Sequence, residues 1–157
     1  MKIIVLGLGN ELLSDDGIGI LAAQRLRAIL DGQADVAVSN LSGIALLEVL
    51  VGYDKAVLID AVQTGNARPG TIRELSPDDL GRVIAPSPHY AGVPEMLALA
   101  GQLDLEFPSE IRIYAVEVAD AYTVGGPVSP AVSASLETLT ERVRHRVCEW
   151  RKETQHA

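Results

Sequence analysis

The sequence predicts an α/β fold in which a mostly parallel sheet is covered by helices on both faces. Three observations carry that prediction. Short apolar runs alternate with amphipathic helical stretches along the chain, as strands do when helical crossovers join them. The first run, residues 2–6 (KIIVL), is followed at once by Gly7 and Gly9. Such an apolar run bounded by glycine suits a strand covered on both faces. A later run, residues 56–59 (AVLI), is apolar throughout, which places it near the centre of the sheet.

The elements follow in chain order. After the first strand, Gly7 and Gly9 let the backbone turn, and Ser14, Asp15 and Asp16 supply oxygens and negative charge where a helix begins. Ile18, Leu21, Ala22, Leu26 and Ile29 recur at helical spacing, so residues 16–30 read as an amphipathic helix ended by Asp31-Gly32. Residues 35–39 (DVAVS) form a second strand, and 43–50 a short helix closed by Gly52. The third strand, 56–59, has Asp60 at its C-terminal end. Residues 63–70 are turn-rich, and 71–75 (TIREL) alternate as an edge strand does. Pro77, Pro86 and Pro88 make 76–88 a loop. A helix over 93–103 and a last strand over 111–116 (IRIYAV) follow. After a loop over 119–130, Val132, Leu136, Leu139, Val143, Val147 and Trp150 step by three or four, the spacing of one long helix.

Composition bounds what such a chain does. Its 157 residues, 48% of them hydrophobic, supply one core, so 1–157 is expected to be one domain, with 143–157 the end of the last helix and a tail. A net charge of −8 argues against nucleic acid and anionic membranes as partners. Cys148 is the one cysteine, which excludes an internal disulfide and a multi-cysteine zinc or iron–sulfur site within one chain. No apolar run approaches the roughly 18 residues of a membrane span. The opening apolar run is too short for a secretory signal, so a cytoplasmic location is expected.

The chemistry gathers where strands end. In a doubly wound sheet, ligands bind outside the C-terminal ends of the strands, at the crevice where strand order reverses. If strands one and three are neighbours, that crevice collects Asp16 and Asp60. Gly7-Leu8-Gly9 invites a dinucleotide reading, but the third glycine of that fingerprint is replaced by Leu12, and Glu11, Asp15 and Asp16 would repel a pyrophosphate. Asp15 reads as a helix-capping residue. Asp60 is either a polar strand end or one of a pair with Asp16. Two converging carboxylates require a raised pKa or a cation. His89, in Pro86-Ser87-Pro88-His89, is held by two prolines with restricted φ. His145 and His156 read as solvated. Two carboxylates and an imidazole form an N/O donor set suited to a divalent ion such as nickel or zinc. There is no G-x-S-x-G elbow, and Cys148 on the last helix reads as a packing residue.

These residues resemble those of the hydrogenase maturation endopeptidases across nearly the whole chain. The resemblance is carried by Gly7-Leu8-Gly9-Asn10 with Leu13-Ser14-Asp15-Asp16-Gly17-Ile18-Gly19, by Gly52-Tyr53-Asp54, by Leu58-Ile59-Asp60-Ala61-Val62, by Ser87-Pro88-His89-Tyr90-Ala91-Gly92, and by Ser129-Pro130-Ala131-Val132. It implies a three-layer α/β/α fold with a twisted, mostly parallel five-stranded sheet. It also implies that Asp16, Asp60 and His89 are the catalytic, metal-contacting residues. The implied activity is removal of a C-terminal peptide from the precursor large subunit of a nickel–iron hydrogenase. The implied metal is nickel, supplied by that substrate and not held by the resting enzyme. The alternatives are a nickel-sensing chaperone that does not cut and a nucleotide-binding α/β module. Two departures stand out. Some members carry glutamate where this chain has Asp16, and a G-G-T-x-G stretch common after the second strand reads Ser39-Asn40-Leu41-Ser42-Gly43 here.

Overall fold

A computed structural model describes residues 1–82 and 93–156. The strands are β1 (Ile3–Leu8), β2 (Asp35–Ser39), β3 (Lys55–Val62), β4 (Ile72–Leu75) and β5 (Glu110–Glu117). The α-helices are α1 (Ile18–Ile29), α2 (Leu47–Leu50), α3 (Val93–Gln102), α4 (Pro130–Ala134) and α5 (Leu136–Gln155). Short 3₁₀ turns span Ser14–Gly17, Gly43–Leu46 and Pro77–Arg82.

The strands form one sheet in the order β2-β1-β3-β5-β4. All neighbours are parallel except β4, which runs antiparallel on β5 at the edge. Strand alternation splits the core. Ile3, Val5, Val57 and Ile59 face a layer built from α1 and α5, and Ile4, Leu6, Ala56 and Leu58 face α2 and α3. The expected three-layer, mostly parallel architecture is observed, with β1 beside β3.

Several element boundaries and faces differ from the sequence expectation. β1 continues through Gly7 to Leu8, so Gly7 is a strand residue and the turn is made by Gly9 alone, at φ 147°. On α1 the buried stripe is Ile18, Ala22, Ala23 and Leu26, whereas Leu21 and Ile29 are exposed. Gly19, Ala22 and Ala23 let the helix pack closely on the strands, with Ile18 and Leu26 buried beside them in the same core. The stretch 76–88 is not wholly loop, because Pro77–Arg82 coils into a 3₁₀ turn fastened by Asp79 Oδ2, which accepts from Ser76 N–H at 2.8 Å and from its hydroxyl at 3.0 Å. The single last helix is two, α4 and α5, divided at Ser135, whose hydroxyl donates to Val132 C=O at 2.6 Å. All six residues whose spacing announced that helix are buried.

Candidate functional site

The site is built by a close approach of backbones. Gly19, in the first turn of α1, lies against β1 and β3: a Cβ there would stand 2.6 Å from Ile59 O and closer still to Leu8 O. Gly9 lies against the Asp16 carbonyl in the same way, and its positive φ disfavours any other residue. Only glycines permit this contact. It seats the Ser14–Gly17 turn on the C-terminal ends of the two strands, and that turn packs against β3.

Asp16 is half-buried in this turn, and its Oδ2 accepts the Asn10 N–H at 2.7 Å. Asp60 is fully buried. It does not end its strand as the sequence suggested, because the ladder with β5 runs on through Asp60↔Ala115, Ala61↔Val116 and Val62↔Glu117. Its Oδ1 accepts the Ala61 N–H at 2.8 Å. By alternation the Asp60 side chain points to the α2–α3 face. Asp16 and Asp60 are thus brought to the same end of the sheet by neighbouring elements. His89 lies outside the described residues, four positions before the buried Val93 that opens α3 on the Asp60 face. Among the described residues, no group of three or more His, Cys, Asp or Glu is arranged to hold a metal ion.

Asp15 does not cap the helix. The turn has no side-chain cap, and Asp15 is fully buried. Its carboxylate accepts from the N–H groups of Ala119 and Asp120, both at 3.0 Å, and from Ser129 through N–H at 2.6 Å and hydroxyl at 3.1 Å. Backbone bonds from Ser14 N–H to Thr123 O and from Asp15 N–H to Asp120 O, both 2.9 Å, complete the tie. Asp15 therefore pins the loop after β5 to the turn that carries Asp16. Sequence reasoning missed Glu117, which is buried at the end of β5, one alternation beyond Ala115, the partner of Asp60. Its carboxylate accepts from Thr64 N–H at 3.0 Å, Thr64 hydroxyl at 2.8 Å and Gly65 N–H at 2.8 Å, fixing the loop after β3. The available signal was a carboxylate inside the otherwise apolar run Tyr114–Val118 (YAVEV).

The loop after β5 is organised by Asp120. The Thr123 hydroxyl, then the N–H groups of Thr123 and Tyr122, hold its carboxyl below the ordinary aspartate range. Tyr122 and Val124 are left 75% and 78% exposed, beside a Leu12 that is 66% exposed and shares a bond from Gly125 N–H to its carbonyl. On the other side of the turn, a groove of about 620 Å³ runs between Gly9–Leu12, Ile20 and Gln24 of α1, and Val38–Leu41.

The geometry disfavours the nucleotide reading. The Asn10 N–H, which would cradle a phosphate at the end of β1, is already given to the Asp16 carboxylate. Cys148 sits half-buried on α5, its thiol 3.5 Å from Gln33 Oε1, with the Arg144 guanidinium 3.8 Å from its sulfur, which fits a packing role. His145 is exposed on the same helix.

Comparison with known proteins agrees with the sequence resemblance. A family model described as hydrogenase maturation protease matches residues 23–146. The hydrogenase 2 maturation protease of Escherichia coli K12 is 29% identical over 147 residues, covering 91% of this chain and 88% of that protein. The hydrogenase expression/formation protein HoxM of Azotobacter vinelandii is 30% identical over 161 residues, covering 90% of this chain and 73% of that protein. Among solved structures, the hydrogenase maturating endopeptidase HybD from E. coli superposes with a TM-score of 0.78 at 26% identity, covering 95% of this chain and 93% of that one.

Proposed function

The chain belongs to the hydrogenase maturation protease family, and on that premise we propose that it cuts a C-terminal peptide from the nickel-loaded precursor of a nickel–iron hydrogenase large subunit. The observation that carries the reading is Asp60: a carboxylate buried on an interior strand, at the sheet end where the Asp16 turn is clamped. Burying a carboxylate on an apolar strand is costly unless it meets a cation or hydrogen-bond donors. Two carboxylates and the His89 imidazole form a hard-to-borderline N/O set that fits a divalent nickel ion carried in by the substrate.

In this reading Asp16, Asp60 and His89 contact the substrate's nickel and so place the scissile peptide beside it. When bound, the metal supplies Lewis-acid polarisation. The protein's own contribution is orientation. The Asn10 and Ala61 amides fix the two carboxylates, and the glycine contacts and the Asp15 clamp hold the Asp16 turn against β3. Holding reacting groups in register supplies much of the rate in such a site.

The test is intact-mass analysis of the precursor large subunit, prepared with and without nickel and incubated with the protein. Loss of a short C-terminal peptide from the nickel-loaded form alone is expected. A nickel-loaded precursor that is bound but stays uncut overturns the proposal in favour of a chaperone that senses nickel. Equal cutting of both forms overturns the role assigned to the metal.

A further inference from the structure

Among the described residues the sheet has an open edge, and its C-terminal end adjoins the groove lined by Gly9–Leu12 and Val38–Leu41. β2 is the outermost strand on its side, and among the described residues no strand lies beyond it. Its backbone polarity follows from its bonds to β1. Gly9 N–H donates to Ser39 O at 3.1 Å, so Ser39, and by alternation Ala37 and Asp35, turn their N–H and C=O groups inward. Val36 and Val38 therefore turn theirs outward. Edge strands are usually blunted by lysine, proline or a bulge. This one reads DVAVS, its register with β1 is unbroken, and Val38 is 41% exposed. The groove continues from Val38 and Ser39 to Gly9 and Asn10, and Asn10 N–H holds the Asp16 carboxylate. A chain paired with the outer edge of β2 lies about two strand spacings, roughly 10 Å, from β1, and past Ser39 it reaches the Asp16 turn by bending inward along this groove.

Resting on the function proposed above, we propose that the precursor segment next to its scissile bond adds to β2 as an extended strand. It pairs with the backbone of Val36 and Val38 and lays an apolar side chain in the groove between Ile20, Val38 and Leu12. An extended substrate fits because strand addition draws its affinity from main-chain bonds and its selectivity from pockets for alternate side chains.

Two measurements test this. Val38→Pro deletes one outward N–H, keeps an apolar side chain and removes no bond to β1. It is expected to raise KM for the nickel-loaded precursor about tenfold, with kcat nearly unchanged. In the unaltered protein, hydrogen exchange across residues 35–39 is expected to slow when the nickel-loaded precursor is added, because the Val36 and Val38 amides gain partners. A precursor that is cut while exchange in 35–39 stays the same overturns the inference and leaves the proposed function standing. A folded Val38→Pro protein with unaltered KM does the same. A precursor neither bound nor cut by the unaltered protein overturns the proposed function, and this inference with it.

Discussion

Gly19→Ala is the sharpest perturbation this fold offers, because local and tertiary preferences oppose each other there. Alanine is the better helix former by about 1 kcal/mol. Yet its methyl would stand 2.6 Å from Ile59 O and closer to Leu8 O, whereas real Cβ contacts essentially never fall below 3.0 Å. Both obstacles are backbone atoms of central strands, which cannot swing aside as a side chain does. Helix α1 must therefore withdraw by at least about 0.4 Å to clear Ile59, and farther to clear Leu8. Overpacking of this kind costs about 1–3 kcal/mol and outweighs the gain in propensity. At about 2–4 °C per kcal/mol for a chain of this size, the melting temperature is expected to fall by several degrees. Activity should fall further than stability, because the turn that carries Asp16 moves with the helix, and misplacement by about 1 Å can cost on the order of a hundredfold in rate. The assay is thermal unfolding by circular dichroism paired with the rate of precursor cleavage, measured where the variant is fully folded. An alanine variant as stable and as active as the parent would refute the argument that backbone contact between α1, β1 and β3 sets the site.

Asp16→Asn and His89→Ala are each expected to abolish processing while leaving thermal unfolding unchanged; full activity in both would remove the proposed site. Asp15→Asn sets an amide NH2 against either the Ser129 N–H or the N–H groups of Ala119 and Asp120, because those donors divide between the two carboxylate oxygens. Breaking such a buried network costs about 3–5 kcal/mol, or roughly 10 °C in melting temperature, so a variant that melts like the parent would show that the clamp is not needed. Burial pushes the Glu110 carboxyl up, but the hydrogen bonds and charges of Lys55 and Arg112 outweigh it and hold it below its ordinary value. Its stabilisation is therefore complete above the ordinary carboxylate range and lost as pH falls through the lowered value. Glu110→Gln should lower the melting temperature slightly at pH 7 and not at pH 2, as melts at the two pH values would show.

The order of elements, the burial of β1 on both faces, the central place of β3, and the placing of the Asp16 loop after β1 were legible in the sequence. Each depends on a period of two or 3.6, or on a glycine next to an apolar run, and those signals lie within a few residues of what they describe. The last helix shows this best, since the six residues at helical spacing are the six that are buried. The tertiary structure alone decided what the carboxylates do. Asp15 looks like a cap because it precedes a helix, but its hydrogen-bond partners lie 104 to 114 residues away. Asp60 looks like a strand end because charge usually stops a buried strand, but the β5 ladder carries it two residues into the sheet's interior. Glu117 stands out locally as a carboxylate in an apolar run, but its partners Thr64 and Gly65 follow another strand and are not visible from its neighbours in sequence. Gly19 and Gly9 read as turn or helix-start residues, yet their use is to let two backbones touch. Local chemistry fixes periodicity and therefore elements. A buried polar group is defined by the partners that satisfy it, and distant parts of the chain supply those only once it has folded.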